Sequence, residues 1–371
     1  MEKVFISNLT IEHVRHLRNI TISLSCEKIK HLILTGRNGS GKTSVLEALA
    51  SYLEEERLVR LAELRLEYIR FGKKTQNWKE ISAIKNGMNL TFNQPLEEIS
   101  AGLIRGDLIL AYYKAERIFQ AEVPKHIEKV ELKDKYAITE APGREFIRYL
   151  LDLKATEAFA RNNGKCEKAD EINRWFAKFQ ELLQKIFCDD SLELIFEEDT
   201  FSFHIKEKNK ELFDFNTLSG GYAAVLDIVL DMIIRMEKKT NRSFDFGVPG
   251  IVLVDEIETH LHIELQKTIL ELLTTIFPNI QFIVSTHSPF VLNSISNAVI
   301  YDLEKNILVE NGLTDIPYGG IVEGYFRSSE MSKSLEEKFA RYKALVGKPN
   351  LTDDDFEEIA GRFPQLLQYI V

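Results

Sequence analysis

Gly36-Arg37-Asn38-Gly39-Ser40-Gly41-Lys42-Thr43 lies between an apolar run, His31-Leu32-Ile33-Leu34-Thr35, and Ser44-Val45-Leu46-Glu47-Ala48-Leu49-Ala50, where helix formers carry apolar residues at helical spacing. A glycine turn between a strand and a helix lets consecutive backbone N–H groups wrap phosphate oxygens, and the helix N-terminus adds its positive dipole end. The expected phosphate contacts are Gly36, Asn38, Gly39, Ser40, Gly41, Lys42 and Thr43. Lys42 would reach the β- and γ-phosphates, and Thr43 would hold Mg²⁺ through its hydroxyl. A chance glycine turn would need neither flank; here both are present, which selects the phosphate-binding loop.

Two further apolar runs, Gly250-Ile251-Val252-Leu253-Val254 and Ile280-Gln281-Phe282-Ile283-Val284, read as central strands of a parallel sheet covered on both faces. The first ends in Asp255-Glu256 and the second leads into Ser285-Thr286-His287-Ser288-Pro289. Ligands bind at the carboxyl edge of such sheets, so all three functional side chains are expected beside the phosphate loop. Asp255 would bind the Mg²⁺ water shell, and Glu256 would polarise the attacking water as general base. His287 would hydrogen-bond the γ-phosphate and report its loss. Farther upstream, Leu218-Ser219-Gly220-Gly221-Tyr222 opens an apolar-periodic helix that runs from Ala223 toward Glu237.

With 371 residues, 44% of them hydrophobic, the chain can bury a large core. Its organisation reads as an ATPase lobe over 1–120, a helical hairpin insertion over 121–190, a second ATPase lobe over 191–303 and a helical tail over 304–371. The hairpin has helical spacing on both sides of Asn162-Asn163-Gly164, and Thr352 before Asp353-Asp354-Asp355 reads as a helix cap in the tail. Three widely spaced cysteines, Cys26, Cys166 and Cys188, give no disulfide framework and fit a reducing compartment. No signal-peptide core or membrane-length apolar run is seen, so a cytoplasmic protein without a membrane partner is expected. The net charge of −10, from 57 acidic and 47 basic side chains, does not draw nucleic acid to the molecule as a whole. DNA or RNA contact would need a local basic face. Lys73-Lys74 with Lys79 and Lys85 is one candidate, and Lys154, Arg161, Lys165 and Lys168 is another.

Taken together, the phosphate loop, Leu218-Ser219-Gly220-Gly221, Asp255-Glu256 and His287 resemble the ABC-type ATPase heads of the structural-maintenance-of-chromosomes and RecF-like class. The resemblance implies an α/β fold, a P-loop NTPase of ABC-ATPase head type with a mixed sheet core and an inserted helical lobe. It also implies ATP and Mg²⁺ as ligands and ATP hydrolysis as the activity. Two heads would sandwich two ATP molecules, each held by one subunit's loop and by Ser219, Gly220 and Gly221 of the other, giving a homodimer or higher homo-oligomer. Tyr222 stands where such heads carry Glu or Gln, and His262 where the D-loop carries Asp; both are expected on the dimer seam. His260 and His262 lie two apart with no third ligand in view, which favours a seam role over zinc. Gln120 is the candidate glutamine-loop contact to Mg²⁺, with Arg117 or Glu116 as alternatives.

The stretch Glu256-x-Glu258-x-His260-Leu261-His262 with Thr286-His287-Ser288-Pro289 is similar to the ATPase subunits of bacterial antiviral systems. Among these are the Septu ATPase, the ATPase of PARIS systems and the N-terminal half of overcoming-lysogenization-defect nucleases. That resemblance implies a separate effector, a nuclease or toxin, under the control of the ATPase. A DNA-repair or DNA-maintenance ATPase that clamps duplex DNA is the competing expectation. A transporter's energy-coupling subunit fits less well, given Tyr222, His262 and the long insertion.

Overall fold

In the computed structural model, the described residues are 2–71, 78–117, 119–121, 124, 126–208 and 210–321, with 337, 340, 341, 343, 344 and 352. The first unit, Met1–Thr314, opens with β1 (Ile6–Val14), β2 (Leu17–Ser23) and β3 (His31–Thr35), then α1 (Lys42–Tyr52), α2 (Glu55–Phe71) and α3 (Trp78–Lys85). β4 (Met88–Phe92), α4 (Leu96–Ile104) and β5 (Ile109–Tyr113) precede the helical pair α5 (Phe146–Asn162) and α6 (Cys166–Phe187). The hairpin β6 (Glu193–Glu197) and β7 (Ser202–Lys206) leads to α7 (Gly220–Glu237), β8 (Gly250–Val254), α8 (Ile263–Ile276), β9 (Ile280–Ser285), α9 (Pro289–Leu292), β10 (Ala298–Asp302) and β11 (Ile307–Val309). Of the second unit, Asp315–Val371, the described part includes the short helix α10 (Tyr318–Gly320).

Six strands form the central sheet in the order β11-β10-β3-β9-β8-β5, parallel throughout except for β11 at one edge. Every residue of β3, β8, β9 and β10 is buried, as apolar strands covered on both faces must be. The one amide among them, Gln281, is fully buried and satisfied: it bonds the Ile6 N–H at 2.8 Å, the Ile6 carbonyl at 2.9 Å and the Lys30 carbonyl at 2.8 Å. Gln281 thereby pins β9 to the antiparallel sheet β2-β1-β4. Apolar faces of both sheets enclose α1, with Val45, Leu46 and Leu49 packed against Leu9, Ile11, Leu253 and Ile283 in one core.

Asn163 ends α5 and Gly164, with φ of +70°, turns the chain into α6. The pair docks on α7 through aromatic rings: Phe146, Tyr149, Trp175 and Phe179 cluster together, and the Tyr149 hydroxyl and Trp175 Nε1 both donate to the buried Glu237 carboxylate, the latter at 3.0 Å. In the stretch read from sequence as the start of a helical tail, Ile307-Leu308-Val309 instead pairs antiparallel with β10. Three consecutive β-formers beside an open sheet edge account for that strand. Lys73 and Lys74 of the first basic cluster lie outside the described residues, as do the side chain of Lys79 and Asp353-Asp354-Asp355.

Candidate functional site

β3 delivers the chain to Gly36 at the carboxyl edge of the sheet, and α1 begins at Lys42. Between them the loop turns tightly, with Ser40 N–H donating to the Arg37 carbonyl at 3.1 Å. Gly36 and Gly41 have φ of +132° and +100°, where a side chain is strained; a Cβ at Gly36 would meet Ser40 Oγ at 2.8 Å, and one at Gly41 would meet Leu17 Cδ1 at 2.9 Å. Arg37, Asn38, Gly39 and Thr43 are exposed, while the Lys42 side chain folds back and is buried. Its ammonium donates to the Gly36 carbonyl at 2.9 Å and the Arg37 carbonyl at 3.2 Å. Burial lowers the Lys42 pKa, opposed by the charges of Glu256, Glu258, Asp255 and Asp302. Glu304 flanks the loop, accepting from the Arg37 N–H at 3.2 Å.

β8 and β9 end beside this loop. The buried Asp255 donates its backbone N–H to the Tyr113 carbonyl at 2.8 Å, and its carboxylate accepts from Ser285 Oγ at 2.5 Å. Ser285 Oγ in turn accepts from the Glu256 N–H at 2.8 Å, so the last residue of β9 holds the Asp255 carboxylate and the Glu256 main chain together. Glu256 has φ of +44°, and its Oε2 accepts from the Thr259 hydroxyl at 3.3 Å. Glu258 Oε1 accepts from the His287 N–H at 2.5 Å. His287 has a pKa lowered by burial first and by Lys42 second, with Glu258, Glu256 and Asp255 opposing. Near neutral pH its ring is therefore the uncharged imidazole, able to donate from one nitrogen and accept at the other. Lys42, Asp255, Glu256, Glu258 and His287 thus share one electrostatic neighbourhood.

Thr35 Oγ1, Ser40 Oγ and Glu258 Oε2 are buried here without a hydrogen-bond partner. Unmet polar demand of that kind around a loop of exposed N–H groups fits a phosphate with its hydrated cation. No group of three or more His, Cys, Asp or Glu side chains able to hold a metal ion occurs among the described residues. Mg²⁺ suits that arrangement, since it keeps several waters and takes one or two protein ligands plus substrate phosphates; the exposed Thr43 on the loop and the Asp255 carboxylate after β8 are the side chains that would hold it.

Ser219 caps α7 with an extended backbone and makes no side-chain cap bond, and both Ser219 and Gly220 are exposed. Behind them stands the segment after Glu258: a Cβ on Gly221 would lie 3.2 Å from the His260 carbonyl, and one on Gly220 3.7 Å from the His260 Cβ. His260 and His262 are exposed, the first with φ of +67° and the second at the N-terminus of α8. The signature residues and the two histidines therefore form a second assembly. Tyr222, half-buried, is stacked on Phe187 at the end of α6 with ring centroids 4.2 Å apart and planes at 16°. Its side chain packs at the junction with the helical pair. Gln120 is exposed on a segment held by Asn216, which bonds both the N–H and the carbonyl of Ala121.

Arg117 is buried beneath the 255–257 turn, donating to the carbonyls of Asp255, Glu256 and Ile257. Burial lowers its pKa, opposed first by Asp227 of α7 and then by Glu258, Asp255 and Glu256. Sequence reasoning gave no role to Ser285, Glu258 or Asp227. Ser285 and Glu258 were within the quoted motifs, whereas Asp227 carried no local signal.

Residues 5–308 match the model of the RecF/RecN/SMC N terminal domain. The chain belongs to that family. The family and the sheet order together give a P-loop ATPase head with a mixed sheet and an inserted helical pair. Relatives of this RecF/RecN/SMC member include the Septu protein PtuA of Bacillus mycoides (strain KBAB4), 26% identical over 383 residues, covering 98% of this chain and 51% of that protein. The Retron Vc95 probable ATPase of Vibrio cholerae serotype O1 biovar El Tor is 30% identical over 196 residues, covering 52% of this chain and 35% of that protein. The chain thus spans about half the length of the first relative and about a third of the second. Among solved structures, an Smc head bound to the C-winged helix domain of ScpA is similar with a TM-score of 0.41 and 16% identity, covering 84% of this chain and 98% of that one. No helix among the described residues is long and apolar enough to cross a membrane.

Proposed function

We propose that the chain is a Mg²⁺-dependent ATPase whose copies close on ATP, residues 36–43 of one copy and Ser219-Gly220-Gly221 of another sharing each nucleotide. The gathering of Lys42, Asp255, Glu256, Glu258 and His287 at one sheet edge carries this reading. Lys42 would exchange the carbonyls of Gly36 and Arg37 for β- and γ-phosphate oxygens. Thr43 and Asp255 would hold Mg²⁺, which neutralises charge on those oxygens when bound. Glu256 would orient the attacking water and accept its proton, while the neutral His287 ring would donate to the γ-phosphate. The exposed Ser219 and Gly220, backed by His260, supply a surface suited to a nucleotide presented by another copy.

The nucleotide state would in turn control a separate effector, a nuclease or toxin, in bacterial antiviral defence. The likeness to the Septu and retron proteins supports that setting. Nucleic-acid clamping has less support, because Lys154 is paired with Glu157 at 3.1 Å and Arg161 with Asp170 at 3.1 Å. Phosphate release from ATP by the wild-type protein, Lys42→Ala and Glu256→Gln tests the proposal. Lys42→Ala should neither bind nor hydrolyse, and Glu256→Gln should bind and hold ATP uncleaved; hydrolysis by Glu256→Gln at the normal rate would rule out the assigned base.

A further inference from the structure

Arg117 stands on the segment leaving β5, and its side chain is 4% exposed. One guanidinium takes four carbonyls: Nη1 donates to Lys114 at 3.0 Å and Asp255 at 2.6 Å, and Nη2 to Glu256 at 3.1 Å and Ile257 at 3.3 Å. Three of these belong to successive residues of the turn that carries the acidic side chains. Successive carbonyls converge on one group only where the chain turns sharply, and Glu256 is held at φ of +44°, a conformation that glutamate seldom adopts. A planar, rigid fork suits this task; a lysine ammonium is a compact point charge and cannot span the same set. The carboxylate whose charge acts on Arg117 most strongly is Asp227, in the second turn of α7.

We propose that Arg117 is a positioning residue for ATP hydrolysis. It holds the Asp255–Ile257 turn from behind so that the Glu256 carboxylate stays at the phosphate loop. The proposal rests on the ATPase reading above. It differs from a glutamine-loop role, in which Arg117 would reach the nucleotide itself, since all its bonded partners are main-chain carbonyls behind the site.

The test uses the full chain as wild type, Arg117→Lys and Arg117→Ala, with ATP turnover, fluorescent-ATP binding and amide hydrogen exchange as readouts. Arg117→Lys should lower kcat at least about tenfold while leaving KM and nucleotide affinity within about threefold. Free guanidinium at millimolar concentration should restore part of the turnover of Arg117→Ala. Exchange at the Glu256 and Ile257 amides, which are bonded to Ser285 Oγ and the Ser285 carbonyl, should speed up at least about tenfold in Arg117→Lys. A wild-type kcat in Arg117→Lys, or a loss confined to nucleotide affinity, overturns the proposal. Should the wild-type protein turn over no ATP, the ATPase reading fails, and the exchange experiment still decides: unchanged protection of Glu256 and Ile257 in Arg117→Lys removes the role of Arg117.

Discussion

Replacing Lys42 by methionine keeps the length of the side chain and removes only its ammonium, so it separates binding from folding. The ammonium is buried and donates to two main-chain carbonyls at 2.9 and 3.2 Å, with no carboxylate as a bonded partner. Its attraction to a phosphate oxygen at about 4 Å is about 4 kcal/mol at an effective dielectric constant of about 20. Part of that is already met by the loop carbonyls and by the field of Glu256, Glu258, Asp255 and Asp302. A net loss of about 3 kcal/mol remains, equivalent to a rise of about 100-fold in the Kd for ATP. Folding stability should change by only about 1 kcal/mol, because the lost charged hydrogen bonds are offset by no longer burying an ammonium. Fluorescent-nucleotide titration and urea unfolding of the same preparations give both quantities. A Kd within about threefold of wild type in a fully folded Lys42→Met protein would refute the assignment of this loop to phosphate.

Asp231 accepts from Arg235 Nε at 2.7 Å, the Tyr113 hydroxyl at 2.7 Å and the Gly143 N–H at 2.9 Å, all buried, so Asp231→Ala strands an arginine and should cost about 3–5 kcal/mol in urea unfolding. A loss below about 1 kcal/mol would show that the network carries little of the stability of α7. His31 accepts from the Phe282 N–H at 3.1 Å, and burial, with Lys30 adding to it, pushes its pKa down to about 4. The unfolded chain then binds the extra proton between about pH 6.5 and pH 4, so stability falls as pH drops through that window, by about 3 kcal/mol in full. Unfolding free energies of wild type and His31→Gln should converge toward pH 4; parallel pH profiles would remove His31 as the cause.

The phosphate loop was legible because its chemistry is local: eight residues contain the turn, the ammonium and the hydroxyl, and their flanks declare strand and helix. The central strands were legible for a similar reason, being apolar on both faces. Gln281 shows the limit of such patterns, since its three partners lie up to 275 residues away in sequence. Arg117 is a second case: its bonds to residues 138 to 140 positions downstream arise only when β5 and β8 pair. From sequence it could be placed near the site but not behind it. Tyr222 was legible as a departure at the signature, yet its partner Phe187 is brought in by the end of α6, which no local pattern aligns with it. β11 was missed because three β-formers within a polar segment form a strand only beside the free edge of β10.

Sedimentation of Glu256→Gln with and without MgATP, with Ser219→Arg introduced in the same background, tests the two-copy site most directly. ATP should shift Glu256→Gln from one copy to at least two, and the added Ser219→Arg, which sets a bulky cation on the exposed N-cap of α7, should abolish the shift while nucleotide binding persists. A single-copy mass for Glu256→Gln at saturating ATP would contradict the shared nucleotide.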